Sequence, residues 1–369
     1  MPRRLLILGL FTELLGPGGV QRIGRHTAAV LTSLAFDQGQ SCRILSLNDP
    51  PGHHVLEVGG YQLAFQGFGR RKVAFVAAAL RAACEAQLAH LGHPNLASLG
   101  LIMRIANPKL RYWITAHGIE VWSPLPLERR LGLRIASGVI CPSRFTADQV
   151  VKIQGVQAAK VTILPWAVDP EIWKLDSAIL SYLPSGRILL TVARLSKFDR
   201  YKGVDMVIEA LPKILSIIPN TYYIIIGDGD DRPRLERLVT DLGLQDHVIF
   251  VGKVTESELV AYYRACDVFI MPSAKEGFGL VFLEAMAFGK PVIGGNHGGT
   301  PDIVVDGKTG FLVEYGDVDA LADRLIRLLQ DEKLRRCMGE AARRHVKENF
   351  SFKAFRERLV ELLTGNNHE

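Results

Sequence analysis

The chain has 369 residues, 48% of them hydrophobic and 22% charged, which is enough length and apolar content for two globular domains and excludes a disordered protein. No apolar run reaches the roughly 18 to 20 residues that a membrane-spanning helix needs, so we do not expect an integral membrane protein. The net charge is +6, and this surplus is unevenly distributed along the chain.

The basic residues are concentrated in the first half. Residues 1–165 hold 18 Lys and Arg against 8 Asp and Glu, a surplus of +10, whereas the remaining 26 Lys and Arg against 30 Asp and Glu give −4. Such a surplus predicts an anionic partner: nucleic acid, a phosphate-bearing small molecule or the headgroups of a membrane. Nucleic acid is the least favoured, because the chain has no RNP-like aromatic pattern, zinc-ligand spacing or helix-turn-helix. We expect no nucleic-acid partner.

Cysteine usage and the first residues bear on the compartment. The five cysteines are scattered, without a CxxC pair or histidines at zinc-finger spacing, which favours a reducing cytoplasm over disulfides or structural metal. The opening segment MPRRLLILGLFTELLG imitates a signal peptide, but Glu13 and a glycine-rich turn follow where a cleavage site would be. We interpret it as a first buried strand.

The first half alternates strands and helices. RLLILGL predicts a strand, VQRIGRHTAAVLTSLAF a helix by its apolar spacing, and SCRILSL the next strand. Further on, LRYWITAHG and SGVICPS are short apolar runs that end in small or polar residues, as parallel strands do.

The second half repeats this alternation from GRILLTVARL to KPVIGG, which is typical of a doubly wound sheet. We predict two α/β domains with parallel sheets that face each other across a cleft, over residues 1–165 and 186–350. A proline-rich hinge is expected at 166–185, and a C-terminal helix and tail at 351–369 that packs back toward the first domain. Ligands of such sheets bind at the carboxyl ends of the strands.

A glycine-rich loop, GPGGVQR, follows the first strand. Its glycines permit close approach of the backbone to a ligand, and the amides of the following helix favour a phosphate, although a plain tight turn has the same composition. No GxGxxG fingerprint occurs, which weakens a hypothesis of NAD binding. DGKTG at 306–310 is interpreted as a surface turn.

The segment VARLSKFDRYKG carries two cations at the end of a strand. Arg194 offers a rigid guanidinium with paired N–H donors, and Lys202 offers a compact positive charge. Together they suit a diphosphate whose negative charge must be stabilised while a bond to it breaks. The alternative is a solvated charged loop.

The segment EGFGLVFLE follows the strand CDVFIMPS. It offers backbone amides at the start of a helix, and Glu276 in the loop can accept hydrogen bonds from sugar hydroxyls. Glu284, two turns into the helix, suits a pair of vicinal hydroxyls such as those of a ribose. Alternatively, Glu284 faces solvent.

DGD at 228–230 has the form of a metal-binding DxD motif. It leads, however, into a helix with Pro233 in its first turn, where aspartate is a common capping residue. We favour the cap and expect no metal and no cofactor.

Together these motifs resemble those of the retaining glycosyltransferases of family 4, which have the GT-B fold. EGFGLVFLE continues as AMAFGKPVIG, GPGGVQR resembles their first glycine loop, THGIE their histidine loop, and ARL with YKG their arginine and lysine. GGTPDIVVDGKTGFLV is similar to the segment that follows the EGFGLVFLE motif in that family. The resemblance runs from about residue 5 to 350 in the expected order, and it implies transfer of a hexose-type sugar from a nucleotide-diphosphate donor to an acceptor hydroxyl in polysaccharide or glycolipid biosynthesis.

The resemblance also assigns roles. Donor-side residues would be Gly18, Gly19, Arg194, Lys202, Glu276, Gly277, Phe278, Gly279, Leu280 and Glu284. Arg194 and Lys202 would hold the diphosphate and Glu284 the ribose, and His117 would touch the sugar near the reacting carbon. The family's front-face route, in which the departing diphosphate takes the acceptor proton, makes leaving-group stabilisation the main catalytic term. The implied catalytic residues are His117, Arg194, Lys202 and Glu276.

The acceptor side is expected in the first domain. Candidate residues are Arg22, His93, Asn95 and Glu120. The basic surplus supports a glycan or lipid-linked acceptor at the inner face of a membrane, with the protein cytoplasmic or peripheral there. RRKVAFVAAALRAA, from Arg70, is either an interfacial helix or a core helix with a solvated start, and we slightly favour the second.

Two departures from the family pattern and three rival functions remain. Ala193 stands where the family commonly has glycine, and Trp166-Ala167-Val168-Asp169 where it commonly has Asn-Gly-Val-Asp. Neither removes a charged group, so they bear on donor preference.

A sugar phosphorylase or a nucleotide-sugar epimerase would share the fold, and a non-catalytic sugar-nucleotide-binding protein would bind without turnover.

Overall fold

The computed structural model describes residues 6–168, 180 and 183–365, and these form two compact units. Unit 1 comprises residues 1–170 with 351–369, and unit 2 comprises residues 171–350. Most of the predicted hinge at 166–185, and the end of the C-terminal tail, lie outside the described residues.

Unit 1 contains an eight-stranded sheet in its described part, in the order β3-β4-β2-β1-β5-β6-β7-β8. Its strands are β1 Leu6–Phe11, β2 Ser41–Ser46, β3 Gly52–Val58, β4 Tyr61–Gly67, β5 Ala86–Leu91, β6 Arg111–Thr115, β7 Gly138–Cys141 and β8 Val161–Ile163. Its first helices are α1 Gly19–Asp37, α2 Lys72–Ala83, α3 Ala97–Ala106, α4 Leu127–Ile135 and α5 Arg144–Lys152. The predicted first strand is confirmed as β1, and all its residues are buried.

Helices cover both faces of this sheet. The buried side chains of α2, α3, α4 and α5 form one core with alternate residues of the central strands. Residues directed to one side of β1, such as Leu8 and Leu10, belong to this core because side chains alternate along a strand. On the opposite side, α1 packs against β1, β2 and β4.

The first sheet is parallel, as predicted, except for one pair of strands. Strands β3 and β4 form an antiparallel hairpin at its edge, with Val58 opposite Tyr61. The turn is Gly59-Gly60, and both glycines have positive φ, as a tight two-residue hairpin requires. The sequence does not predict these strands, because GHHVLEV alternates only weakly, and in the structure β3 is largely exposed, as edge strands often are.

Unit 2 contains a six-stranded parallel sheet in the order β11-β10-β9-β12-β13-β14. Its strands are β9 Arg187–Val192, β10 Thr221–Ile226, β11 Val248–Gly252, β12 Val268–Met271, β13 Val292–Gly295 and β14 Gly310–Val313. Its helices are α6 Val204–Leu215, α7 Arg232–Asp241, α8 Glu256–Ala265, α9 Leu280–Ala287, α10 Val318–Gln330 and α11 Glu332–Asn349. The order reverses between β9 and β12, and in such sheets ligands bind beside this switch point.

The last helix, α12 Phe352–Thr364, belongs to unit 1. Phe352 and Phe355 lie against the ring of His26 on α1, and Arg356 donates to Ser33 and Asp37 of the same helix. In the part of the chain that the structure describes, no helix combines the length and the hydropathy needed to cross a bilayer.

Candidate active site

The arginine predicted to hold a phosphate follows β9 and is anchored by an aspartate. The Nε of Arg194 donates to the Asp199 carboxylate, and the Tyr201 hydroxyl donates to the same carboxylate at 2.9 Å. Asp199 is buried, whereas the Arg194 side chain is 74% exposed. The carboxylate therefore fixes one edge of the guanidinium while much of that side chain stays open to solvent.

The charges of this pair are stabilised mutually. Burial alone would raise the pKa of the Asp199 carboxyl, but the hydrogen bonds from Arg194 and Tyr201 outweigh it and hold that pKa below its usual value. The hydrogen bond to Asp199 raises the pKa of Arg194. Sequence reasoning missed Asp199 and Tyr201. The available signal was an aspartate between two cations in a short turn.

The two motifs predicted separately around Lys202 and Glu276 meet in the structure. Lys202 ends the turn 197–202, Glu276 follows β12, and Lys202 Nζ lies 2.6 Å from Glu276 Oε2. Both side chains are mostly buried. They meet because β9 and β12 are neighbouring parallel strands whose carboxyl ends lie at the same edge of the sheet. The amide of Ala274 also donates to the Tyr201 carbonyl, at 2.8 Å, which ties the two loops together.

The loop that carries Glu276 is supported from behind by a glycine turn. Gly299 donates its amide to the Glu276 carbonyl at 2.7 Å. A Cβ added to Gly298, which has φ of +63°, would lie 2.4 Å from that carbonyl oxygen and 2.8 Å from the Glu276 nitrogen. Only glycine therefore permits this approach, and a substitution there would move the Glu276 backbone.

Residues 277–280 lead from this loop into α9. Gly279 is the N-cap and Leu280 the first residue of the helix, and no side chain caps the start. The Phe278 ring is buried and packs edge-on against Phe350 with ring centroids 6.0 Å apart. Its side chain belongs to the core, so a ligand would be served by the backbone of this segment.

Glu284 lies in the second turn of α9 and is buried, so the alternative of a solvent-facing residue is wrong. The Tyr263 hydroxyl of α8, also buried, donates to Glu284 Oε2 at 2.7 Å. Sequence reasoning missed Tyr263, and no signal marked it, since it occupies an apolar helix face like any core aromatic.

In unit 1, His117 follows β6 and is buried. Its Nε2 lies 2.7 Å from the Gly92 carbonyl oxygen. Because a carbonyl only accepts, Nε2 carries the hydrogen and Nδ1 is the acceptor, with no hydrogen-bond partner among the described residues. Burial lowers the pKa of His117 to about 4, so the ring is neutral at pH 7.

Of the four predicted acceptor-side residues, His93 and Glu120 contact His117, and Asn95 is bonded to His93. The His93 ring stacks on the His117 ring at 5.5 Å, and His93 Nδ1 accepts the amide of Asn95 at 3.0 Å. The Glu120 carboxylate accepts the backbone amide of His117. The Asn95 side chain accepts from Arg129 at 2.7 Å. Burial, with His117 close by, lowers the pKa of His93 to about 4.

The glycine loop lies at the β1–α1 turn. Gly18 is the N-cap and Gly19 the first residue of α1, and the amide of Arg22 donates to the Gly18 carbonyl at 3.0 Å. A Cβ on Gly18 would lie 2.2 Å from the Gln21 side-chain oxygen. Because β1 and β6 run parallel in one sheet, this loop and the loop of His117 leave the same edge.

The capping role predicted for DGD at 228–230 is wrong. Helix α7 starts at Arg232, and its N-cap is Asp231, which makes no capping hydrogen bond because its carboxylate pairs with Arg200 and Arg234. Asp228 accepts the amide of Gly229, and Asp230 accepts the amide of Lys197, both at 2.9 Å. Asp230 thus supports the turn beside Arg194.

Comparisons with known proteins match both units. The family described as Glycosyltransferase Family 4 matches residues 17–172, and the family described as Glycosyl transferases group 1 matches residues 183–345. Sucrose-phosphate synthase from Thermosynechococcus elongatus superposes with a TM-score of 0.76 at 23% identity, over 98% of this chain and 99% of that one. That likeness shows the GT-B fold.

Two relatives are similar in sequence over most of their length. A GDP-mannose-dependent alpha-(1-6)-phosphatidylinositol monomannoside mannosyltransferase of Mycolicibacterium smegmatis is 36% identical over 73% of this chain and 74% of its own. A GDP-mannose-dependent monoacylated alpha-(1-6)-phosphatidylinositol monomannoside mannosyltransferase of Corynebacterium glutamicum is 33% identical over 68% of each chain. These findings do not favour the phosphorylase, epimerase and non-catalytic hypotheses. The chain belongs to glycosyltransferase family 4 and transfers a sugar from a nucleotide-diphosphate donor to an acceptor.

Proposed function

We propose that the protein transfers a mannosyl group from GDP-mannose to a hydroxyl of a lipid-linked acceptor and retains the anomeric configuration. The choice of mannose and of a phosphatidylinositol mannoside as acceptor is supported by the names of the two relatives. The roles of the site residues are supported by their arrangement in unit 2.

One observation carries the chemistry, namely the contact of Lys202 with Glu276 beside the exposed guanidinium of Arg194. Two cations at one sheet edge can balance the charge that develops on a departing diphosphate, and burial strengthens the effect of Lys202. Glu276, on the neighbouring loop, is placed to accept hydrogen bonds from the sugar while it holds Lys202.

The proposed reaction needs neither a protein nucleophile nor a metal. The bond between the anomeric carbon and the diphosphate oxygen breaks, and the acceptor oxygen bonds to the same face of that carbon. The acceptor proton passes to the departing diphosphate. Arg194 and Lys202 supply the positive charge that a divalent ion would otherwise supply. Activity is therefore expected to persist in EDTA.

A lipid-linked acceptor would place the enzyme at the inner face of a membrane as a peripheral protein. The surplus of +10 in residues 1–165 supports this location, because cytoplasmic leaflets carry anionic lipids. Glu120, His93 and Asn95, gathered around His117, are the proposed acceptor-side residues.

The test is an assay of the purified protein with GDP-mannose, UDP-glucose and UDP-N-acetylglucosamine, each with phosphatidylinositol monomannoside in detergent micelles and with added EDTA. We expect release of GDP from GDP-mannose only when acceptor is present, and an α-linked product by NMR. Use of a UDP-sugar would overturn the donor, GDP release without acceptor would overturn the transfer, and a β-linked product would overturn retention.

A further inference from the structure

We propose that the outer surface of α2, α3 and α4 in unit 1, here called the α2–α4 face, docks on an anionic lipid bilayer. The inference deepens the proposed function, since it rests on a lipid-linked acceptor and names the surface that would bring the enzyme to it.

The three helices form one continuous layer. All three bury their apolar sides in the same core on one side of the sheet, and α3 packs against both α2 and α4. The contact of α3 with α4 is close, because a Cβ on Gly132 would lie 2.1 Å from the Ala97 carbonyl oxygen. Their outward sides therefore belong to a single surface.

That surface exposes large apolar side chains in rows. On α3, Ile105 is 72% exposed and Ile102 is also exposed, three residues apart. On α4, Leu127 is 66% exposed, and Leu131 and Ile135 follow at intervals of four and are exposed too. Spacings of three and four place side chains on one side of a helix, so each helix carries an outward apolar row.

The same three helices and the loops beside them are rich in basic residues. Helices α2, α3 and α4 together hold 6 Lys and Arg against 1 Glu, a surplus of +5. Arg70, Lys72, Arg81 and Lys109 are exposed, and none of them forms an ion pair with a described carboxylate. By contrast α1 and α12, on the other side of the sheet, together hold 5 basic and 3 acidic residues, a surplus of only +2.

Exposed apolar rows beside unneutralised cations match the chemistry of a membrane surface. Apolar side chains enter the boundary between headgroups and acyl chains, and the cations meet the anionic headgroups. A second copy of the chain fits poorly, because a symmetric dimer through this surface would set its positive charges against each other. The bilayer is therefore the occupant that both the charge and the apolar rows favour.

The test is co-sedimentation of the full chain with vesicles of phosphatidylcholine alone or with one third phosphatidylglycerol. We expect binding to the anionic vesicles that weakens steeply as salt is raised. The double variants Ile105→Gln with Leu127→Gln, and Arg70→Gln with Lys72→Gln, should each weaken it. The charge variant should lose about fivefold per cation removed.

Matched controls lie on the other side of the sheet. Phe36→Gln on α1 and Lys353→Gln on α12 alter an apolar and a basic residue that are as exposed as those altered on the α2–α4 face. Both control variants should bind vesicles as the unaltered chain does. No binding to anionic vesicles, or equal binding by all variants, would overturn the proposal. A change of oligomeric state in the Ile105 and Leu127 variant without lipid, measured by light scattering, would assign the face to self-association and overturn it too.

Donor binding separates this proposal from the proposed function. Titration with GDP measures the donor site in solution, and we expect it to be equal in all these variants. Loss of vesicle binding with intact GDP binding is the result expected of a docking variant. An unaltered chain that binds anionic vesicles but neither GDP nor GDP-mannose would overturn the proposed donor and leave the docking surface standing.

Discussion

Lys202 and Glu276 are 74 positions apart in the chain, yet their side chains lie 2.6 Å apart. Each belongs to a different loop at the carboxyl edge of unit 2, and each is mostly shielded from solvent. The pair therefore couples the residue that would bind the diphosphate to the residue that would bind the sugar.

Replacing Lys202 by alanine should lower kcat by about 100-fold or more, because it removes a charge that stabilises the departing diphosphate. Initial rates with GDP-mannose and a saturating acceptor measure this. The control is Lys213→Ala on α6, whose ammonium pairs with Asp319 and Asp323 on an exposed surface and should leave kcat within about twofold. A Lys202 variant that keeps its turnover would remove the lysine from the catalytic machinery.

Tyr263→Phe should weaken GDP binding about tenfold, because hydrogen bonds to charged groups are among the stronger ones. The phenyl ring keeps the packing but no longer donates to Glu284, so that carboxylate loses one of the hydrogen bonds that orient it. Titration calorimetry with GDP and with 2′-deoxy-GDP gives a specific readout. The loss of affinity caused by the missing 2′-hydroxyl should be smaller in the variant than in the unaltered protein. Tyr222→Phe, whose ring packs on His247, is the control. Equal penalties in the variant and the unaltered protein would contradict the positioning role.

Gly298→Ala and Gly307→Ala form a matched pair. Both glycines have positive φ, +63° and +71°, so the backbone conformation alone should cost each alanine on the order of 1 kcal/mol in the free energy of unfolding. Only at Gly298 would the new Cβ meet the Glu276 backbone, whereas at Gly307 it meets nothing within 4 Å. We expect kcat/KM to fall about tenfold or more in the first variant and to stay unchanged in the second. Similar activities in the two variants would show that the Glu276 loop tolerates displacement.

The protein should lose stability at mildly acidic pH through buried histidines. Burial lowers the pKa of His90 to about 3 and of His117 to about 4, against about 6.5 in an unfolded chain. The unfolded chain then binds more protons, so the free energy of unfolding is unaffected above about pH 7 and falls as the pH drops below roughly 6.5. At pH 5 the loss is about 2 kcal/mol for each histidine.

Urea unfolding at pH 7 and pH 5 measures this loss. His90→Gln can keep a hydrogen bond to Thr115 while it removes the titrating group, so its loss between the two pH values should be about 2 kcal/mol smaller. His53→Gln, at an exposed position of β3, is the control and should behave as the unaltered protein does. If His90→Gln lost as much as the unaltered protein, the acid sensitivity would have another source.

The sequence by itself determined the local elements and the reaction class. Apolar periodicity predicted β1, α1 and the alternation from β9 to β13, because it repeats within one strand or helix and can be followed along the chain. The glycine loop, ARL with YKG and EGFGLVFLE predicted the family, since each motif is local and their order is preserved.

The tertiary structure alone decided which residues support those motifs. Tyr263 beside Glu284 and the apolar rows of α3 and α4 had no distinctive local signal, and the pairing of Asp199 with Arg194 is seen only in the structure. The contact of Lys202 with Glu276 depends on β9 and β12 being neighbours although two strands lie between them in the chain. Strand order is set by the packing of whole elements, and periodicity records only which side of an element is buried.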